Sequence, residues 1–269
     1  MQLPYDPIQV FKTSITAAGL YARQKWLGES HTKSWKTDFN FTVARLLEGQ
    51  FSDGSWEHSI IKTIRHLFGL HLTIRNRTDS SKKALEWLLN EVVKVFPKKR
   101  INIGEAIHTQ TFKGLPFTKG CSGFFLYGAA VFISSIFGLE KERTVLKIFE
   151  WFESQGVRNQ GRWCGFSCSN NILRAFVVHP EYAKGRGIAL AVEALSQIQN
   201  ARGQWSHQVP FYQTLNALAH LDLVESDIQV ERAFKRLPET QNKDGTWGRI
   251  DREWNTFLTV HALKNKGEL

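Results

Sequence analysis

The sequence predicts an all-α fold in which five helix pairs and one leading helix close into an α/α toroid. Three observations predict it. One corner pattern, a Gln, three residues, a Gly, one residue and an aromatic, recurs along the chain. The segments between corners carry the apolar spacing of helices. Those segments also alternate, amphipathic before each corner and more apolar after it, as an outer layer around an inner one would.

The corners come first because they set the phase. Intact copies run from Gln50 to Trp56, Gln199 to Trp205 and Gln241 to Trp247. A contracted copy holds Gln160, Gly161 and Trp163, and a degenerate one holds Gln110 and Gly114, with Pro116 and Phe117 where the tryptophan would stand. Gly54, Gly114, Gly161, Gly203 and Gly245 follow one another at intervals of 60, 47, 42 and 42 residues, the period of a helix-turn-helix unit with one insertion. Asp-Gly or Arg-Gly leads the chain out of a helix through a positive φ, and the Trp then packs across the junction. The Gln can satisfy backbone groups at a neighbouring helix end. These Gln and Trp residues are therefore read as stability residues.

The helices follow in order. Pro7 to Leu27 is expected to be an inner helix with no outer partner before it. The outer helices are expected at Trp35 to Glu48, Ser81 to Val95, Lys141 to Ser154, Gly187 to Ile198 and Asp227 to Leu237. The inner ones are expected at Glu57 to Leu72, Cys121 to Phe137, Ser169 to Val178, Pro210 to Leu221 and Arg252 to Lys264. Residues 1–269 are read as a single toroid domain, six helices inside and five outside. With 42% apolar and 22% charged residues, the chain has enough apolar content for a large core.

No run reaches the roughly 20 apolar residues of a membrane span. The first residues lack the layout of a secretory signal, so a cytoplasmic location is expected. Three cysteines are too few and too unevenly spaced for a disulfide framework, which predicts reduced thiols. A net charge of +10 attracts anions of every kind, including a membrane surface or a diphosphate. Peripheral membrane contact is one expectation from it. Nucleic acid is not expected as a partner, because Lys and Arg are dispersed and no nucleic-acid-binding signature occurs.

The Q-x3-G-x-W corners resemble the QW repeat of squalene-hopene and oxidosqualene cyclases, whose toroid is shared with the β subunits of protein prenyltransferases. The likeness spans Gln50 to Trp247 and implies the fold and an isoprenoid or similarly apolar ligand in the lumen. In class II cyclases a DxDD motif at the start of an inner helix supplies a protonated Asp that donates its proton to an alkene or epoxide. The matching stretch here is Arg252-Glu253-Trp254-Asn255-Thr256, where Trp and Asn replace two of the acids. Asp251 or Glu253 would then be the catalytic acid. The aspartate-rich magnesium motif of class I synthases is absent. Prenyltransferases resemble one another in an Asp-x-Cys element and a His for zinc. Here Lys119-Gly120-Cys121 and Trp254-Asn255-Thr256 stand at those places, so the cofactor stays undetermined between zinc, magnesium and none.

A separate zinc hypothesis uses Cys164 and Cys168 near one inner-helix start and His207 near the next. Aligning the inner helices places Lys62, Asn171, Gln213 and Asn255 at equivalent positions. They are expected either to face the lumen or to cross-link neighbouring helices. Tyr212, Trp254 and Phe125 are candidates for holding a carbocation or an isoprenoid chain. Lys119 and Arg162 are anion-binding candidates for a diphosphate, with Lys113, Arg158 and Arg249 near the same end. Besides an isoprenoid enzyme, two readings are carried: a non-catalytic toroid that binds a lipid or a protein, and a carbohydrate-active barrel, which needs two opposed carboxylates.

Overall fold

The computed structural model describes residues 1–102 and 108–269. Eleven α-helices and no strand occur among them. In chain order these are α1 (Ala17–Lys25), α2 (Lys33–Leu47), α3 (Ile60–Thr73), α4 (Asp79–Val95), α5 (Ser122–Ile136), α6 (Arg143–Arg158), α7 (Phe166–Val177), α8 (Arg186–Ser196), α9 (Phe211–Leu218), α10 (Val224–Thr240) and α11 (Arg252–Asn265). Each expected helix is found. The leading one is shorter than the expected Pro7 to Leu27, because a 3-10 turn at Gln9–Phe11 precedes it and Thr16 caps α1 by accepting from the Gly19 N–H.

Packing runs between alternate helices along the chain. The odd-numbered helices pack in the sequence α1, α3, α5, α7, α9 and α11, and α11 returns to α1. Each even-numbered helix lies against odd-numbered neighbours, and α6 also meets α8, which meets α10. The most apolar helix, α5, is buried along nearly its whole length, whereas α2 buries only Trp35. One continuous apolar cluster extends from Phe11 to Leu263.

The corners repeat one set of bonds. In the intact copies the Gln Nε2 donates to the carbonyl of its own corner glycine, Gly54, Gly203 or Gly245. The same nitrogen donates to a backbone carbonyl beyond the corner, that of Ser80, Gln229 or Tyr5. The Trp Nε1 donates back to the preceding even-numbered helix or its cap, from Trp56 to Glu48, Trp163 to Phe152 and Trp247 to Leu237. Trp205 reaches α8 through a relay: it donates to Gln229 Oε1, and Gln229 Nε2 donates to the Val192 carbonyl. The Trp56 and Trp247 backbone N–H groups donate to Thr63 and Thr256, which ties each corner to the inner helix it leads into.

The corner glycines press on their neighbours. At Gly203, with φ +73°, a Cβ would stand 2.1 Å from the Arg232 carbonyl oxygen, so both conformation and space require glycine. Among the described residues no even-numbered helix follows the last corner. Residues 5–7 take that place: Gly245 abuts the Asp6 carbonyl, and the Gln241 side chain bonds both backbone groups of Tyr5.

Candidate functional site

The centre holds two chambers. The larger, of about 550 Å³, lies by the starts of α1 and α11. Its apolar wall includes Ala18, Leu46, Phe68, Leu72, Leu115 and Trp254, and its polar rim holds Arg65, Lys113, Arg249, Arg252, Asp251 and Glu253. Asp251 sits at φ +53° just before α11, and its Oδ2 accepts from the Gly114 N–H at 2.9 Å. Glu253 Oε1 accepts from Ser14 Oγ at 2.8 Å and from Thr16 Oγ1 at 2.5 Å. Arg65 donates to the carbonyls of Lys113 and Thr111, which anchors the degenerate corner to α3. Burial lowers the Arg65 pKa, and the Asp251 charge opposes that shift.

The smaller chamber, of about 270 Å³, shares Phe68, Leu72 and Trp254 with the larger and opens toward the far ends of the inner helices. Its wall joins Phe132, Phe257 and Pro116 to a polar network. Arg174, 5% exposed, donates to Asn216 Oδ1 at 2.7 Å and to the Gln213 carbonyl at 2.8 Å. That contact orients the Asn216 amide, so its nitrogen faces the Leu258 carbonyl at 3.0 Å and His261 Nδ1 at 3.4 Å. His220 Nε2 is 3.0 Å from His261 Nδ1, and Tyr21 Oη is 3.4 Å from His261 Nε2. Burial brings the Arg174 pKa down to about 10. Burial also lowers His71 to about 4, His220 to about 3 and His261 to about 4, with Arg75, His261 and Arg174 respectively adding to the effect. These imidazoles are neutral at neutral pH. No carboxylate lines this chamber among the described residues.

Of the residues expected from sequence, Trp254, Asp251 and Glu253 meet at the larger chamber, and Trp254 Nε1 donates to the Leu115 carbonyl. Among the expected basic residues, Lys113 and Arg249 join them there. The equivalent positions on the inner helices do different work. Lys62 pairs with Glu57 at the surface. Asn171 clips Thr118, accepting its N–H and donating to its carbonyl. Gln213 offers its carbonyl to Arg174, and Asn255 Nδ2 donates to the Ile250 carbonyl. Tyr212 packs edge-on against Phe211. Phe125 is fully buried between Phe112 and Phe117.

Lys119 is exposed two residues before Cys121, and Arg162 borders a crevice by α7 and α8 rather than the chambers. Cys164 and Cys168 do come together, but their third companion is Cys121, while His207 is exposed and outside the group. Glu105 lies outside the described residues, and His108, its partner in an E-x-x-H pair, is exposed. The chamber residues Arg65, His71, Arg174, His220 and His261 carry no common spacing in the sequence.

No protein-family model matches the chain, and no curated protein matches it. Among solved structures, a protein from Actinoplanes is similar in fold. It shares 15% identity at a TM-score of 0.60, over 97% of this chain and 89% of that one. The likeness concerns the fold alone. No helix among the described residues is long and apolar enough to cross a membrane.

Proposed function

We propose that the chain is an α/α toroid of the terpenoid cyclase and protein prenyltransferase kind, and that it takes an isoprenoid or similarly apolar molecule into its centre. The order of packing, α1 through the odd helices and back to α1, supports the toroid. The larger chamber carries the ligand reading: an apolar well floored by Phe68, Leu72 and Trp254 beneath a rim with Arg65, Lys113, Arg249 and Arg252. Such a pocket suits a prenyl chain with an anionic head, because apolar area drives binding and cations at the mouth select the charge. The test compares binding of a prenyl diphosphate with that of its alcohol by calorimetry. The diphosphate binds more tightly to the natural chain, and replacing Lys113 and Arg249 by Ala removes the preference. Equal binding of both ligands before the substitutions defeats the reading.

A second reading, a toroid that binds without catalysing, is favoured by one observation. Both candidate acids are acceptors in every polar contact made at this rim, the role of carboxylates that hold helix starts in place. Turnover assays with prenyl diphosphates and squalene separate the two. Activity lost in Asp251→Asn or Glu253→Gln supports a catalytic acid, and activity unchanged in both removes these candidates.

A further inference from the structure

All three cysteines of the chain meet at one point. Cys121 is the residue before α5, Cys164 stands just before the N-cap of α7, and Cys168 lies in the first turn of α7. The two helices pack side by side, which carries cysteines 43 and 47 positions apart into contact. Cys121 Sγ is 3.6 Å from Cys164 Sγ, and the three sulfurs all lie within 4.8 Å of one another. A tetrahedral ion with sulfur bonds of about 2.3 Å holds its sulfurs about 3.8 Å apart, so the trio is already close to that spacing.

The surroundings suit thiolates. α5 and α7 both direct their N-terminal ends, which carry partial positive charge, at the cluster. The Cys121 backbone N–H donates to Cys168 Sγ at 3.1 Å, a contact that strengthens as that sulfur gains charge. Gly120 leaves the room this needs, because a Cβ there would stand 3.0 Å from the same sulfur.

We propose that Cys121, Cys164 and Cys168 bind one thiophilic divalent ion of the zinc class and leave its fourth position to an exchangeable ligand. Cys164 is exposed, and no further His, Cys, Asp or Glu joins the group among the described residues. Three protein ligands with one open position is the arrangement of a reactive zinc rather than a closed structural one. On binding, three sulfur–metal bonds form, three S–H bonds break and three protons pass to solvent, with no change of oxidation state. The resulting centre carries one negative charge, and Lys119 lies two residues from Cys121.

The test titrates the reduced, metal-stripped full chain with Zn²⁺ and, as a spectroscopic probe, Co²⁺. One ion per chain binds, proton release approaches three per ion, and Co²⁺ develops a thiolate charge-transfer band that shifts when an external thiol is added. Cys164→Ser, at an exposed position that leaves the core intact, weakens binding by about a hundredfold or more and removes most of the band. His207→Ala leaves both unchanged. Binding that survives Cys164→Ser, a Co²⁺ complex without the thiolate band, or a Cys121–Cys164 disulfide whose reduction yields no metal binding overturns the proposal. The Cys164→Ser chain still binds the prenyl ligand in the chamber, so this proposal and the isoprenoid reading fail separately.

Discussion

The corner at Gly203 and the corner at Gly114 begin from the same sequence pattern and end in opposite roles. At Gly203 the turn lies hard against α10, its Gln is bonded on both sides, and its Trp is buried. At Gly114 a Cβ would meet nothing within 4 Å, the amide turns to Asp251, and the next residues run inward. Leu115 walls the larger chamber, Pro116 walls the smaller, and Phe117 packs edge-on against Phe125 and Phe132. The intact corner spends its residues tying α8 to α10. The degenerate corner, relieved of that task, shapes the interior.

The contrast is broken or sharpened by substitution. The largest effect is expected at Trp247, fully buried and bonded to the Leu237 carbonyl: Trp247→Ala lowers unfolding free energy by about 3–5 kcal/mol in denaturant titration. Next is Gly203→Ala, where a left-handed φ and a collision with the Arg232 backbone together cost about 3 kcal/mol. Gln241→Ala removes two donated bonds at the last corner and costs about 1–2 kcal/mol by the same measurement. Gly114→Ala meets the positive φ without the collision and costs only about 1 kcal/mol. A loss at Gly114 equal to that at Gly203 would erase the distinction between the corners. The smallest stability effect belongs to Asp251→Asn, which keeps an oxygen for the Gly114 N–H and stays within about 0.5 kcal/mol on the same titration.

The helices were readable in sequence because their cause is local and repeated. Four of the five corners carry a Gly and a Trp at a fixed spacing, and the apolar residues between corners keep helical phase. The chambers were less readable. Asp251, Glu253 and Trp254 stand at a helix start that the repeat marks, so they could be found. Arg174, His71, His220 and His261 meet only because α3, α7, the end of α9 and α11 converge, which no single stretch records. Of the aligned polar positions, Asn171 serves as a cross-link, to Thr118, whereas Lys62 pairs with Glu57 at the surface. Cys121 belonged with Cys164 and Cys168 by a signal that was present, since all three stand at inner-helix starts in consecutive units.

The docking of residues 5–7 onto the last corner has a kinetic meaning. The Tyr5 to Gln241 bonds bridge 236 positions, and beside them the Ser14 and Thr16 bonds to Glu253 bridge 239 and 237. Bringing such distant segments together carries a large loop-closure entropy, so this seam is expected to assemble late and part early. Thr16, Ala17 and Ala18 on one side and Arg252, Glu253 and Trp254 on the other flank the same chamber. Parting of this seam would therefore widen the way into the larger of the two chambers.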